Sequence, residues 1–343
     1  MYHNFNDKLL TEVTPSMIEE IVPNMYRTEI PLHGSPLKWL NSYIVKGDDR
    51  FLIIDTGFNR EDCLKKMNSS LQKLGVDLNK TDIFITHLHV DHIGLTGTLV
   101  RESSKVYFNE EEAQMLKSLH DNWNSYWQKI TDIYVSNGFA ADGAQISMKS
   151  HPAHKDGLTR KIDFTIVKEG DMIDIGDFHF RCVATPGHSP GHTSLYEANK
   201  KILVAGDHIL FDITPNISYW MQMEDALGQY LANLDKVNAL DVKLVLTGHR
   251  RLVHDLHRRV QELQEHHRAR LNEVLVALGD GEKDVLQIAP HIKWDITAKT
   301  WEEFPPMQKW FAFGETMAHV RYLEARDKVR RRSQDGKIKY MLA

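Results

Sequence analysis

The sequence predicts an α/β or α+β fold in which sheets are covered by helices. Two observations carry the prediction. Apolar runs of strand length alternate with 3.6-residue periodicity from about residue 40 to 250, and tight turns join some of those runs while helical stretches separate others. A simple alternating βαβ wrap would not mix the two kinds of connection. No internal repeat or low-complexity tract interrupts the pattern.

In chain order, residues 42–46 and 51–54 read as a hairpin across Gly47-Asp48, and the second run ends in Asp55-Thr56-Gly57. A helix follows with Leu64, Met67, Leu71 and Leu74 on one face and Glu61 and Asp62 in its first turn, where the helix dipole favours acids; it stops at Gly75. The strand 82–86 comes next, then a short helix from Ile93. A strand at 105–108 leads into a helix at 109–119. Further strands fall at 164–167, 172–175, 178–184, 194–197 and 202–205, a helix at 226–240 and a last strand at 243–246. Beyond Asp255 a long helical pattern runs to Gly279, a second helix covers 307–326, and Asp335-Gly336 marks a tight turn between two short strands. The expected division is therefore a large domain at 1–255 and a small winged-helix-like module at 256–343.

The 343 residues are 42% hydrophobic with a formal net charge of −5, which suits one large domain with a smaller partner and excludes a collagenous or disordered chain. The acidic balance argues against a wholly basic nucleic-acid binder. No apolar run reaches the roughly 18 residues of a membrane span, and the polar opening MYHNFNDKLL has no hydrophobic signal core, so a cytoplasmic protein is expected. The two cysteines, Cys63 and Cys182, form no CxxC pair and read as small buried hydrophobes.

The chemistry is announced by HLHVDH at 87–92, directly after an apolar strand. Residues two apart in extended chain point the same way, so His87 and His89 can reach one ion while the turn with Asp91 and His92 serves another. Three later strands end alike, in TPGHSPGH, GDH and TGH. Loops at strand ends are where a rigid sheet holds ligands in fixed geometry. Imidazole and carboxylate together suit zinc, and two such ions need about four to five ligands each. Of the 19 histidines, isolated ones such as His3, His120 and His291 read as surface or capped residues, and His266-His267, in a charged helix, as solvated.

HxHxDH followed by PGH, GD and GH at later strand ends resembles the metallo-β-lactamase fold superfamily over most of residues 20–255. The resemblance implies an αββα sandwich with two divalent metal ions at the sheet ends, zinc first, manganese or iron as alternatives. His87, His89 and His188 would hold one ion and Asp91, His92 and His249 the other, with Asp207 bridging. Asp55 would steady the histidine loop, and His192 would orient its neighbours without ligating. The implied reaction is hydrolysis of a small ester, thioester or lactone by a metal-bridging hydroxide that Asp91 orients. Two alternatives use the same scaffold: a single-strand endoribonuclease, and a mononuclear iron persulfide-type dioxygenase using only His87, His188 and Asp207.

Departures narrow the choice. Asp207 stands where the commonest zinc β-lactamases place cysteine, and His89 where the di-iron flavoproteins place glutamate. Leu210 replaces the tyrosine of many quorum-signal lactonases, and the stretch from Asp207 to His249 leaves no room for the inserted domain of the RNA-processing nucleases. The C-terminal helices and hairpin resemble those of lactamase-like hydrolases with a winged-helix domain. Arg330, Arg331, Arg332, Lys337 and Lys339 on that hairpin could contact single-stranded nucleic acid, face solvent or make a homodimer contact. An aromatic insertion at about 113–160 carries Trp123, Tyr126 and Trp127; with Tyr219 and Trp220 it forms either a hydrophobic substrate pocket or an accessory aromatic core.

Overall fold

The computed structural model describes residues 18–343 apart from 159, 297 and 299; the polar opening and His3 lie outside the described residues. The first sheet takes its seven strands in chain order: β1 (Ile18–Val22), β2 (Met25–Leu32), β3 (Lys38–Lys46), β4 (Phe51–Ile54), β5 (Thr81–Phe84), β6 (Val106–Asn109) and β7 (Thr165–Val167). β1 to β4 pair antiparallel and β4 to β7 parallel, the parallel joins being made through α1 (Glu61–Leu74), α2 (Val90–Ile93), α3 (Thr96–Leu99), α4 (Glu110–Ser136), α5 (Ala141–Ser150) and α6 (Pro152–Lys155). The second sheet holds β8 (Met172–Ile175), β9 (Phe178–Ala184), β10 (Thr193–Glu197), β11 (Ile202–Gly206) and β12 (Leu244–Thr247), with α7 (Ala226–Asn238) crossing between the last two, which are parallel.

Side-chain alternation builds the layers. Along β3, β4 and β5, Tyr43, Val45, Leu52, Ile54 and Phe84 point inward against Phe178, Phe180, Cys182 and Leu195 of the second sheet. Their neighbours Ile44, Ile53 and Ile83 point outward onto Cys63, Met67 and Leu71 of α1. Leu203, Ala205 and Val245 do the same on the far side, under Leu227, Tyr230 and Leu234 of α7 and the first half of α8 (Leu256–Ala277). The result is the four-layer αββα sandwich expected from the resemblance, and both cysteines are buried and free.

The remaining elements, α9 (Val285–Ile288), α10 (Pro306–Glu324) and the antiparallel hairpin β13 (Val329–Gln334) with β14 (Lys337–Leu342), pack on the second half of α8. Asp335 and Gly336 both have positive φ, as a two-residue hairpin turn requires. This C-terminal group shares one aromatic core with the insertion: the Tyr134 ring stacks on Trp310 at 4.1 Å, and Phe139 meets Phe313 at 4.9 Å.

Three expectations need correction. β1 and β2 add to the expected strands: IEEIV buries no residue fully and MYRTEIPL only Met25, Thr28, Ile30 and Leu32, so neither gives a continuous apolar run. The helix expected to end at 119 continues to Ser136, bending at Asn122, whose backbone leaves helical angles. His267 is fully buried, not solvated; it lies on the face of α8 that meets α10, donating from Nδ1 to His319 Nε2 at 3.1 Å.

Candidate metal centre

The site lies at the C-terminal ends of β4, β5, β11 and β12 and in the turn between β9 and β10. His87, His92, His249 and His192 are fully buried, and Asp91, His188 and Asp207 nearly so. Their ligand-competent atoms fall into three overlapping groups that each could hold a metal ion: His87, His89 and His188; His87, His92 and Asp207; and Asp91, His92 and His249. The seven residues singled out in the sequence thus converge in space.

Hydrogen bonds outside the centre determine which nitrogens face it. A carbonyl cannot donate, so His188 Nδ1 donates to Asn216 O at 2.9 Å and His249 Nδ1 to Trp39 O at 2.8 Å. His92 Nδ1 donates to Asp55 Oδ2 at 2.7 Å. Asp55 also accepts from the Thr86 backbone N–H and hydroxyl, both at 2.8 Å. With its proton spent on Asp55, the Thr86 hydroxyl is left to accept from His87 Nδ1 at 3.0 Å. Each of these four imidazoles therefore turns its Nε2 toward the centre, where a proton or a metal ion can occupy it. The φ of +58° at Asp55 turns the chain out of β4 so that one carboxylate serves all three donors.

That bookkeeping tests the fit of metal ions. His89 Nδ1 lies 2.9 Å from His87 Nε2 and 3.0 Å from His188 Nε2, so two lone pairs and a third nitrogen converge where a single proton could satisfy only one contact. Ligand nitrogens about 2.0–2.1 Å from a tetrahedral zinc stand a little over 3 Å apart, close to what is observed. In the other group, His249 Nε2 is 3.4 Å from Asp91 Oδ2 and 3.3 Å from Asp207 Oδ2, and His92 Nε2 is 3.5 Å from Asp207 Oδ1. Asp207 Oδ1 is buried with no hydrogen-bond partner. A β-carbon at Gly248 would run into that oxygen, which explains the glycine of TGH.

The electrostatics agree. Burial alone would raise the Asp207 carboxyl, but the His249 and His92 imidazoles hold it well below the usual carboxylate range. Asp91, likewise buried, is held at about 2 by its hydrogen bond to His249 and the charge of His92. His249 is pushed down by burial, yet Asp207 and Asp91 raise it to about 9. His87 is depressed by burial and by its neighbouring imidazoles. Two ionised carboxylates in a water-poor pocket call for positive charge between them, which protons or divalent ions can supply.

His192 stands back from the ligand groups: its Nε2 accepts the Asp207 backbone N–H at 3.2 Å and its Nδ1 meets Thr185 Oγ1 at 2.8 Å. Trp220 lies over the centre, stacked on His89 at 5.9 Å between ring centres and donating from Nε1 to His188 O at 3.1 Å. Trp127 is buried in the aromatic core against His151 and Trp310, with Trp123 packed beside it, and Tyr219 lies on that core's margin. Sequence reasoning missed Thr86, Asn216 and Glu112. Glu112 accepts from Ser189 Oγ and, at 2.9 Å, from the Gly191 N–H, clamping the loop between His188 and His192 to α4. Only Thr86, adjacent to His87, had a local signal.

On the hairpin, Arg332 pairs with Glu282 at 2.5 Å, Lys339 approaches the same carboxylate at 3.8 Å, and Arg331 pairs with Glu324 at 3.1 Å. Lys337 donates to Val135 O at 3.2 Å. Four of the five cationic groups are thus engaged within the chain. No described helix is long and apolar enough to cross a membrane.

The profile of the metallo-beta-lactamase superfamily matches residues 40–249, and that of the metallo-beta-lactamase-like C-terminal domain matches residues 289–343. The chain belongs to the metallo-beta-lactamase superfamily. Among curated proteins it is 31% identical over 173 residues to the probable metallo-hydrolase YqgX of Bacillus subtilis (strain 168), a match covering 50% of this chain and 66% of that protein. It is 26% identical over 222 residues to the acyl-coenzyme A thioesterase MBLAC2 of Homo sapiens, covering 61% of this chain and 72% of that one. The matched stretches thus span about two thirds of those relatives' lengths. A solved structure of a metallo-beta-lactamase family protein from Thermus thermophilus superimposes with a TM-score of 0.81 at 24% identity, over 94% of this chain and 100% of that one, and so shares the fold.

Proposed function

We propose that the protein is a dinuclear metal-dependent hydrolase, with zinc the expected metal, acting on a small ester, thioester or lactone. The observation that carries this reading is the pair of three-residue ligand sets, His87, His89 and His188 beside Asp91, His92 and His249, with Asp207, whose buried Oδ1 has no hydrogen-bond partner, between them. Ions held there would acidify a bound water and polarise a substrate carbonyl. Asp91 is placed to orient the attacking water, and Asp55, Thr86 and the Trp39 and Asn216 carbonyls hold the imidazoles in their ligating tautomers. His192 fixes the Asp207 backbone. Trp220 offers an apolar wall for an acyl group, with Tyr219 behind it, and Trp123 and Trp127 support that wall from the cap. The thioesterase relative favours an acyl thioester as the first substrate to try.

We place the catalytic domain at residues 1–255 and a winged-helix-like module at 256–343. The engaged hairpin cations give a nucleic-acid role little support. The decisive test is elemental analysis of wild type and Asp207→Ala alongside hydrolysis of acyl thioesters, lactones and single-stranded RNA. About two zinc ions per chain, largely lost in the variant, with turnover of a carbonyl substrate, is the expected result. A single iron per chain would overturn the dinuclear reading in favour of an oxygenase.

A further inference from the structure

Segment 216–220, which follows the Asp207 loop, is held from two sides. Toward the metal centre, the Asn216 carbonyl accepts from His188 Nδ1 at 2.9 Å and Trp220 Nε1 donates to His188 O at 3.1 Å. Toward the C-terminal module, Asn216 Nδ2 donates to Glu315 Oε2 at 2.7 Å and the Tyr219 N–H donates to Gly314 O at 3.0 Å. A β-carbon at Gly314 would collide with Ser218 Oγ and the Tyr134 hydroxyl, so the glycine makes room for the Ser218 side chain against α10. The other Glu315 oxygen is bound by Arg270 of α8, whose guanidinium also donates to Lys293 O at 3.2 Å and lies 4.4 Å from the Trp294 ring centre.

Glu315 and Arg270 are 5% and 7% exposed. A buried ion pair is seldom more stabilising than apolar residues of the same volume, because desolvation cancels most of the attraction. What no apolar pair could supply is the third contact, an acceptor for Asn216. That contact fixes the orientation of a peptide whose carbonyl sets the His188 tautomer.

We propose that Glu315, acting through Asn216, is a positioning residue for the metal centre, so that the C-terminal module builds part of the site held by His87, His89 and His188. The inference rests on the metal-centre reading above. The Arg270 guanidinium pairs with the Glu315 carboxylate, the carboxylate holds the Asn216 amide, and the carbonyl of that residue holds His188 with its Nε2 lone pair toward the ion. The same strap carries Trp220 onto His89, so substrate wall and ligand geometry are set together.

The test is zinc affinity measured by competition with a chromophoric chelator, ion by ion, together with thermal unfolding of the metal-free protein. His188→Ala identifies the binding step that belongs to the three-histidine set. Asn216→Ala, which leaves the Glu315–Arg270 pair intact, should weaken that step about 10- to 100-fold and spare the other, with the metal-free unfolding midpoint little changed. Glu315→Gln should do the same; if it fails to fold, Asn216→Ala decides alone. Arg326→Ala, which removes a surface side chain paired with Asp225 at 2.8 Å and packed over the Tyr322 ring, should leave both steps intact. Wild-type affinity for both ions in Asn216→Ala would overturn the relay, as would equal loss at both steps with a lowered metal-free midpoint. A wild-type chain that takes up no metal overturns the metal-centre reading and this inference with it, a result distinct from two ions bound alike in wild type and variant.

Discussion

Replacing Asp55 with asparagine changes one atom in the wall of the metal centre and tests the proton bookkeeping directly. Asp55 Oδ1 accepts from the Thr86 N–H, and Oδ2 accepts from both the Thr86 hydroxyl and His92 Nδ1. If the asparagine oxygen keeps the Thr86 N–H, its amide group faces the other two donors. His92 must then give up its Nδ1 proton and carry one on Nε2, aimed at Asp207 Oδ1 3.5 Å away and blocking the lone pair a metal needs. The Thr86 hydroxyl loses its acceptor and competes for His87 Nδ1. Partners of ligating histidines are typically worth about 10- to 100-fold in metal affinity, or about 1.4–2.8 kcal/mol. The loss should fall chiefly on the ion of Asp91, His92 and His249, and a lesser one through His87 on the other. Chelator competition reads both. Wild-type affinity for both ions in Asp55→Asn would refute the claim that these hydrogen bonds set the tautomers.

Two further predictions concern the same centre. Gly248→Ala should lower metal content sharply while leaving far-ultraviolet circular dichroism unchanged, because its β-carbon displaces Asp207 Oδ1; metal content at the wild-type level would show that this carboxylate can move aside. In the metal-free protein His249 is raised to about 9 from the ordinary 6.5, so its interaction with Asp207 and Asp91 stabilises fully below about pH 6.5 and is lost as pH rises through 9. Zinc must displace that proton, so apparent affinity should climb over the same window while the metal-free unfolding midpoint falls; a flat affinity profile between pH 7 and 9 would count against it.

Much of the site was legible because its signals are local. A strand that ends in glycine and a histidine or aspartate within a few residues can be read from HLHVDH, TPGHSPGH, GDH and TGH. The layers were legible too, since Tyr43, Ile44 and Val45 alternate between two cores with the strand period. What sequence could not supply are contacts between distant residues whose types are unremarkable alone. Asn216 and Glu315 are 99 residues apart, and Arg332 and Glu282 are 50 apart. The run RRRSQDGKIK therefore reads as an open cationic face until Glu282 and Glu324 are brought beside it. Trp123, Tyr126 and Trp127 on one helical face suggested a cap over substrate, but the Trp127 surface they share is covered by α10, an element nearly 200 residues later.

His267 is the residue on which local composition misled most, and its burial has a measurable consequence. His319 Nδ1 donates to Glu315 O at 2.8 Å, so its Nε2 is a lone pair that accepts from His267 Nδ1; both rings are therefore neutral in the fold. Burial holds His319 at about 3, and His267 well below its ordinary value with the help of nearby His319 and His266. A histidine depressed in the folded state contributes stability above its unfolded pKa of about 6.5, and that contribution is lost as pH falls toward the folded value. Two such groups each taking up a proton on unfolding give a slope of about 2.7 kcal/mol per pH unit between roughly pH 5.5 and 4. The double variant His267→Gln, His319→Gln keeps a polar amide at each position but cannot titrate. Urea unfolding of the metal-free proteins at a series of pH values should therefore show a shallower acid slope in the variant, by up to about two protons, whatever its stability at pH 7. Equal slopes in the two proteins would mean that these rings take up protons without unfolding, and that the contact between α8 and α10 is open to water.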